Sequence, residues 1–184
     1  MSNKTPAIFL DRDGVINQNR PDYVKSWDEF VFLPGIFEPL KRAANSKYLI
    51  VVISNQSPIG RGIVRKEVVD EVNRLMSAEI ERHQGRVDAI YYCPHAPEDH
   101  CNCRKPEPGM FFQAAKELDI DLTGSFFIGD AVSDVQAALN AGCRPIMVLT
   151  GRGEEQLQRN QHFEECFPVV KDLATALDFI LDDE

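Results

Sequence analysis

The sequence predicts an α/β fold in which a parallel sheet carries helices on both faces. Short runs rich in Val, Ile and Phe recur along the chain, and segments with helical spacing separate them. Strand and helix alternate in this way when a parallel sheet is covered on both sides. The length agrees: 184 residues, 43% of them hydrophobic, suit a single domain spanning 1–184 and leave no room for a large inserted cap domain.

In order along the chain, residues 7–10 form the first buried strand candidate. Residues 17–34 follow with little periodicity and exceed the usual connection length, so they read either as a flap over a site or as an irregular surface loop. A helix is expected over 35–44, a strand over 48–53, a helix over 66–82 and a strand over 87–92. Helix 109–118, strand 125–128, helix 133–141, strand 145–149 and helix 172–181 complete the series. Right-handed crossovers should join the strands, and no internal repeat or linker marks a second domain.

Twenty basic against 29 acidic residues give a net charge of -9, which repels a polyanionic backbone and argues against nucleic acid as a partner. No apolar run approaches the roughly 20 residues needed to span a bilayer, and residues 1–6 lack a basic stretch followed by a hydrophobic one. A cytoplasmic, monomeric protein with no membrane partner is therefore expected.

Ligands of open parallel sheets sit outside the carboxyl ends of the strands. After the strand candidates stand Asp11 with Asp13, then Ser54, then Arg104 with Lys105 beyond a loop, then Asp130. Carboxylates gathered at one edge repel each other and need neutralising, which a divalent cation with phosphate would do. In Asp11-Arg12-Asp13-Gly14, residues i and i+2 point to the same side, so both acids can address one reacting centre. One carboxylate can attack phosphorus, while the other protonates the departing alkoxide and later takes a proton from water. Alone, such a pair is more often a turn or a solvated charge; the apolar strand before it and Gly14 after it favour chemistry.

Ser54-Asn55-Gln56-Ser57 offers a hydroxyl and backbone N–H groups to phosphoryl oxygens, although a helix cap would use the same residues. Pro106 and Pro108 stiffen the chain after Arg104 and Lys105, which fixes where those cations point. Asp130 suits an oxygen-only Mg²⁺ shell with Asp11. Asp134 is either its supporting partner or a favourable first-turn acid.

Three of five cysteines crowd into a short loop. Cys93 and His95, followed by Cys101 and Cys103, supply three thiolates and an imidazole suited to tetrahedral zinc, with His100 competing for the fourth place. Such a clip would order a loop that has little core of its own and aim Arg104 and Lys105. Cys143 and Cys166 read as inert thiols.

The order DRDGVIN, SNQS, RKP and GDAVSD resembles the four motifs of the haloacid dehalogenase superfamily phosphatases. Within it, the cysteine loop and SNQSPIGRG resemble the subfamily of heptose-bisphosphate and histidinol-phosphate phosphatases, over about residues 6–153. The resemblance implies a Rossmann-like core and a phosphatase acting on a small sugar phosphate, with histidinol phosphate as the alternative substrate. A non-catalytic sugar-phosphate binding module is the reading from another class. The resemblance further implies Asp11 as nucleophile, Asp13 as general acid and base, and Ser54 and Lys105 on the phosphoryl group. Mg²⁺ would rest on Asp11, the backbone carbonyl of Asp13, and Asp130. Asn55, Gln56 and Arg104 would contact the rest of the substrate, and the family pattern favours His95 over His100 for Zn²⁺. Two departures, the short segment between His95 and Cys101 and Pro58 after SNQS, border the substrate entrance.

Overall fold

A computed structural model of the chain describes residues 4–160 and 167–182. Its strands are β1 (Thr5–Leu10), β2 (Leu49–Asn55), β3 (Ala89–Cys93), β4 (Ile120–Gly129), β5 (Arg144–Val148) and β6 (Val169–Val170). They form one sheet in the order β3-β2-β1-β4-β5-β6, and every pairing is parallel. The helices are α1 (Phe37–Ala44), α2 (Ser57–Gly60), α3 (Lys66–Arg82), α4 (Gly109–Leu118), α5 (Val132–Ala141), α6 (Gly153–Arg159) and α7 (Leu173–Leu181).

Alternation along β1 explains the two-sided cover. Ile8 and Leu10 join the core beneath α1, α3 and α7, while Ala7 and Phe9 join the core beneath α4 and α5. The helices expected over 66–82 and 109–118 have those bounds, and Asp172 caps α7 through the N–H of Thr175. β4 begins five residues earlier than expected, because Ile120 and Asp121 pair with Thr5 and Pro6 before the register shifts. The expectation missed α2, α6 and β6, which are too short to carry a period.

Residues 17–34 are pinned. Gln18 donates to the carbonyl of Val31, Leu33 donates to that of Ile16, and a 3₁₀ turn spans Trp27–Glu29. Trp27 stacks on Phe30 with ring centroids 5.1 Å apart, and Phe32 meets Phe30 and Phe37 edge-on or tilted. No cap domain intervenes between the described elements, and no described helix is long and apolar enough to cross a membrane. Cys143 is buried, and burial pushes its thiol up to about 12; Cys166 lies outside the described residues.

Candidate active site

Connections run outward from β1 to β2 and β3 in one direction and from β4 to β5 and β6 in the other. The reversal falls between β1 and β4, where the adjacent loops part and leave a crevice at the carboxyl edge. Asp11 follows β1 and Asp130 follows β4, so both sit at that crevice. A cleft of about 640 Å³ opens there, lined by Asp11, Asp13, Ser54, Asn55, Gln56, Arg104, Lys105 and Asp134 among others.

Lys105 is 4% exposed, and its three ammonium protons are all placed: on Asp11 Oδ1 at 2.7 Å, Asp134 Oδ1 at 2.8 Å and the carbonyl of Ile53 at 3.0 Å. Burial alone would discharge it, but Asp11 and Asp134 outweigh burial and raise it to about 12. The remainder of Asp134 accepts from the backbone N–H groups of Asp130 and Ala131. Asp134 thus holds Lys105 and sits in the first turn of α5, where its carboxylate takes the N–H of Ala131.

Asp13 is held differently. Arg12 Nη2, Asn17 Nδ2 and Gln56 Nε2 all donate to it at 2.9 Å. Against the cost of burial, Arg12, Asn17 and Gln56 keep this carboxyl below its ordinary value. Asp11 moves the other way, raised to about 6 by burial despite Lys105. Two neighbouring carboxylates thus have environments that push them apart, Asp11 toward its protonated form and Asp13 toward its ionised one.

Asp130 is fully buried and raised to about 8, by burial first and then by the charges of Asp11 and Asp134. Its Oδ2 accepts from the N–H of Arg152 at 2.8 Å, while its buried Oδ1 has no hydrogen-bond partner. Asp11, Asp130 and Asp134 each bring an oxygen within 4.8 Å of the others. An orphaned carboxylate oxygen in a ring of acids fits a hard divalent cation such as Mg²⁺. The carboxylate of Asp13 lies outside this ring and is engaged by Arg12, which leaves only its backbone carbonyl, the group expected from the resemblance, to face a cation there.

Asn55 and Gln56 line the cleft, but their amides are committed within the protein. Asn55 clasps the peptide of Lys105, accepting from its N–H at 3.0 Å and donating to its carbonyl at 3.1 Å. Gln56 donates to Asp13 and to Ser54 Oγ. Both thereby help to organise the site.

The cysteine loop draws together Cys93, Cys101 and Cys103, with Sγ–Sγ separations of 3.5, 3.2 and 3.4 Å. His95 Nδ1 lies 3.5 Å from Cys93 Sγ and 3.3 Å from Cys103 Sγ, whereas His100 is outside the cluster. Ligands at about 2.3 Å from a tetrahedral zinc stand roughly 3.7 Å apart, so this set is nearly of the size the ion requires. Cys101 is drawn down to about 7: its burial opposes this, but bonds from Cys103 and Cys93 prevail.

Several residues escape the sequence reading. Arg20, Arg61 and Arg152 line the cleft beside Arg104, and Arg20 comes from the segment whose lack of period hid its place. Arg12 is the largest fully buried side chain, and Asn73 is a buried polar residue on α3 among Val69, Val72 and Met76. The apolar period of α3 was the available signal for Asn73.

The chain matches the family described as HAD-hydrolase-like over residues 102–176. It is 40% identical to the D-glycero-beta-D-manno-heptose-1,7-bisphosphate 7-phosphatase of Bordetella bronchiseptica over 174 residues, covering 95% of this chain and 97% of that one. The protein of the same name in Helicobacter pylori strain 26695 is 43% identical over 148 residues, covering 80% and 85%. The crystal structure of the D,D-heptose 1,7-bisphosphate phosphatase of B. bronchiseptica, complexed with magnesium and phosphate, superposes with a TM-score of 0.92 at 38% identity, covering 97% of this chain and 99% of that one. The chain therefore belongs to the haloacid dehalogenase-like hydrolases, in the family of these heptose-bisphosphate phosphatases.

Proposed function

We propose that this protein is a Mg²⁺-dependent phosphatase that removes the C7 phosphate of D-glycero-β-D-manno-heptose 1,7-bisphosphate through an aspartyl-phosphate on Asp11. One observation carries the reading: a floor of buried acids with a single buried lysine lies under a rim of arginines, in a chain of net charge -9. Arg61 forms no ion pair among the described residues, and Arg104 gives only an N–H to the carbonyl of His95. Such a rim suits a substrate with a second phosphate away from the reacting one.

When held by Asp11, Asp130 and the backbone carbonyl of Asp13, Mg²⁺ offsets the charge of carboxylates and phosphoryl oxygens, so that one anion can approach another. An Asp11 oxygen attacks phosphorus as the bond from phosphorus to the C7 oxygen breaks; Asp13, ionised in the free site, takes up a proton as the negative charge of the phosphate draws near and gives it to that oxygen, releasing the sugar alcohol. Water then attacks phosphorus, Asp13 takes its proton, and the bond to Asp11 breaks, leaving inorganic phosphate and a free carboxylate. Lys105 fixes Asp11 and spreads positive charge under the phosphoryl group. Ser54 accepts from Gln56, which leaves its own hydroxyl proton for a phosphoryl oxygen.

Zn²⁺ on Cys93, His95, Cys101 and Cys103 would be structural, because four protein ligands leave no position for water. By closing the loop it would aim Arg104 and Lys105. All residues named lie in one chain, so the reading needs no second copy, and it treats 1–184 as one phosphatase domain.

The test is phosphate release with Mg²⁺ supplied, comparing kcat/KM for both anomers of the heptose bisphosphate with histidinol phosphate. A large preference for the β anomer is expected. Histidinol phosphate carries an amine that the arginine rim would repel; preference for it would overturn the substrate, and no release from any of the three would favour a binding module.

A further inference from the structure

Between the two catalytic acids stands Arg12, 2% exposed, with its guanidinium tied on three sides. Nη2 and Nε grip Asp13 at 2.9 and 3.2 Å, Nη2 also reaches Gln56 Oε1 at 3.1 Å, and Nη1 reaches Asn73 Oδ1 at 3.0 Å. The ring of Phe30 lies 6.0 Å from the guanidinium carbon. A buried charge of this size is costly unless paired and fully hydrogen-bonded, so its retention asks for a use.

Asn73 sharpens the question. It projects from α3, does not line the cleft, and is a buried polar residue on a face otherwise made of Val69, Val72, Met76 and Ile80. A leucine there would serve packing better. What asparagine supplies is an acceptor behind the guanidinium, opposite the side facing Asp13. The fork of Arg12 can then bind Asp13 in one orientation only, with Nη2 also reaching Asp13 Oδ1 at 3.2 Å, the oxygen to which Asn17 donates at 2.9 Å.

We propose that Arg12 and Asn73 form a positioning relay that aims the Asp13 carboxyl at the leaving-group oxygen, so that α3 sets the geometry of proton transfer. Arg12 and Asn73 are positioning residues: they act through Asp13 and touch no reacting atom. The inference rests on the assignment of Asp13 as general acid.

A general acid matters when the leaving group needs a proton and matters little when it does not. The test compares kcat/KM for a sugar phosphate, whose alkoxide must be protonated, with kcat/KM for p-nitrophenyl phosphate, whose phenolate leaves unaided. Both parameters report steps up to transfer of the phosphoryl group to Asp11. Arg12→Met should lower the first about a hundredfold and Asn73→Leu about tenfold, with the second held within about twofold. Asn73→Asp, which keeps the acceptor oxygen, should retain the wild-type ratio of the two.

Equal losses on both esters, no loss on either, or the same selective loss in Asn73→Asp as in Asn73→Leu would overturn the relay. Asp13→Asn is measured beside them. If Asp13→Asn itself fails to distinguish the esters, Asp13 is not the acid and the relay falls with it. If Asp13→Asn distinguishes them and neither Arg12→Met nor Asn73→Leu does, the acid stands and only the relay is refuted.

Discussion

Withholding Mg²⁺ should make the protein less stable as pH rises toward neutrality, the reverse of most carboxylate-rich chains. Asp130 sits at about 8 in the folded chain against an ordinary 3.8. Between those values the native state binds a proton that the unfolded state has lost, so stability falls with rising pH. Each pH unit is worth about 1.4 kcal/mol for one proton, which gives about 3 kcal/mol lost from about pH 5 to about pH 7. Asp11, raised to about 6, adds a smaller loss over the lower half of that window. Asp13, Asp70, Asp121 and Asp172 lie below their ordinary values, so they are ionised in both states above about pH 5 and contribute no slope there.

For a chain of this length, about 3 kcal/mol corresponds to a Tm lower by roughly 6–12 °C. Mg²⁺ on Asp130 and Asp11 displaces the proton and binds only the native state, so the slope should flatten and the gap between metal-free and metal-saturated protein should widen toward neutrality. Thermal unfolding followed by circular dichroism across a pH series reads this directly, with metal removed by dialysis rather than by a chelator that would also take zinc. Asp130→Asn, neutral at every pH, should abolish most of the slope. A metal-free Tm that stays level over the window, or an Asp130→Asn protein with the wild-type slope, would refute the reasoning.

Asp11→Asn should abolish turnover while leaving the unfolding transition cooperative; substantial residual phosphate release would sink the covalent mechanism. Gly14→Ala should weaken Mg²⁺ binding at least tenfold, since a Cβ there would fall 2.1 Å from Asp130 Oδ2 on a backbone with φ of +97°, a strain of about 1–3 kcal/mol; titration calorimetry with Mg²⁺ checks it, and unaltered affinity counts against Asp130 as a ligand. Cys101→Ser should lower zinc content and Tm together, and lower kcat/KM because Lys105 lies two residues beyond Cys103. Elemental analysis giving unchanged zinc would dismiss the ligand set.

Much of the frame was legible because it rests on signals that a single chain carries. Buried parallel strands are continuous apolar runs, and the rule that ligands gather at their carboxyl ends picked out Asp11, Ser54 and Asp130 without any partner being known. What failed were elements with no room for a period. α2 has four residues and β6 has two, and each is held by what it packs on. The start of β4 was hidden for a related reason: Asp121-Leu122-Thr123-Gly124 reads as a turn, yet Asp121 pairs with Pro6, and Ser125 Oγ beyond it takes the N–H of Ala7 that the bulge would leave unpaired.

Within the site, residue types were legible and their remaining valence was not. Asn55 and Gln56 belong at the cleft by position, but whether an amide is free for a ligand depends on partners distant in sequence, here Lys105 for one and Asp13 with Ser54 for the other. Arg12 was passed over for a geometric reason. In an extended strand, residue i+1 faces away from i and i+2, so an arginine between Asp11 and Asp13 reads as pointing elsewhere. The strand ends at Leu10, however, and Gly14 at positive φ turns the chain back until its N–H meets the carbonyl of Asn17. That turn brings the fork of Arg12 onto Asp13. The same turn places Gly14 against Asp130, so one local bend sets both the Asp13 and the Asp130 carboxyls, and a substitution that relaxed it would lose both together.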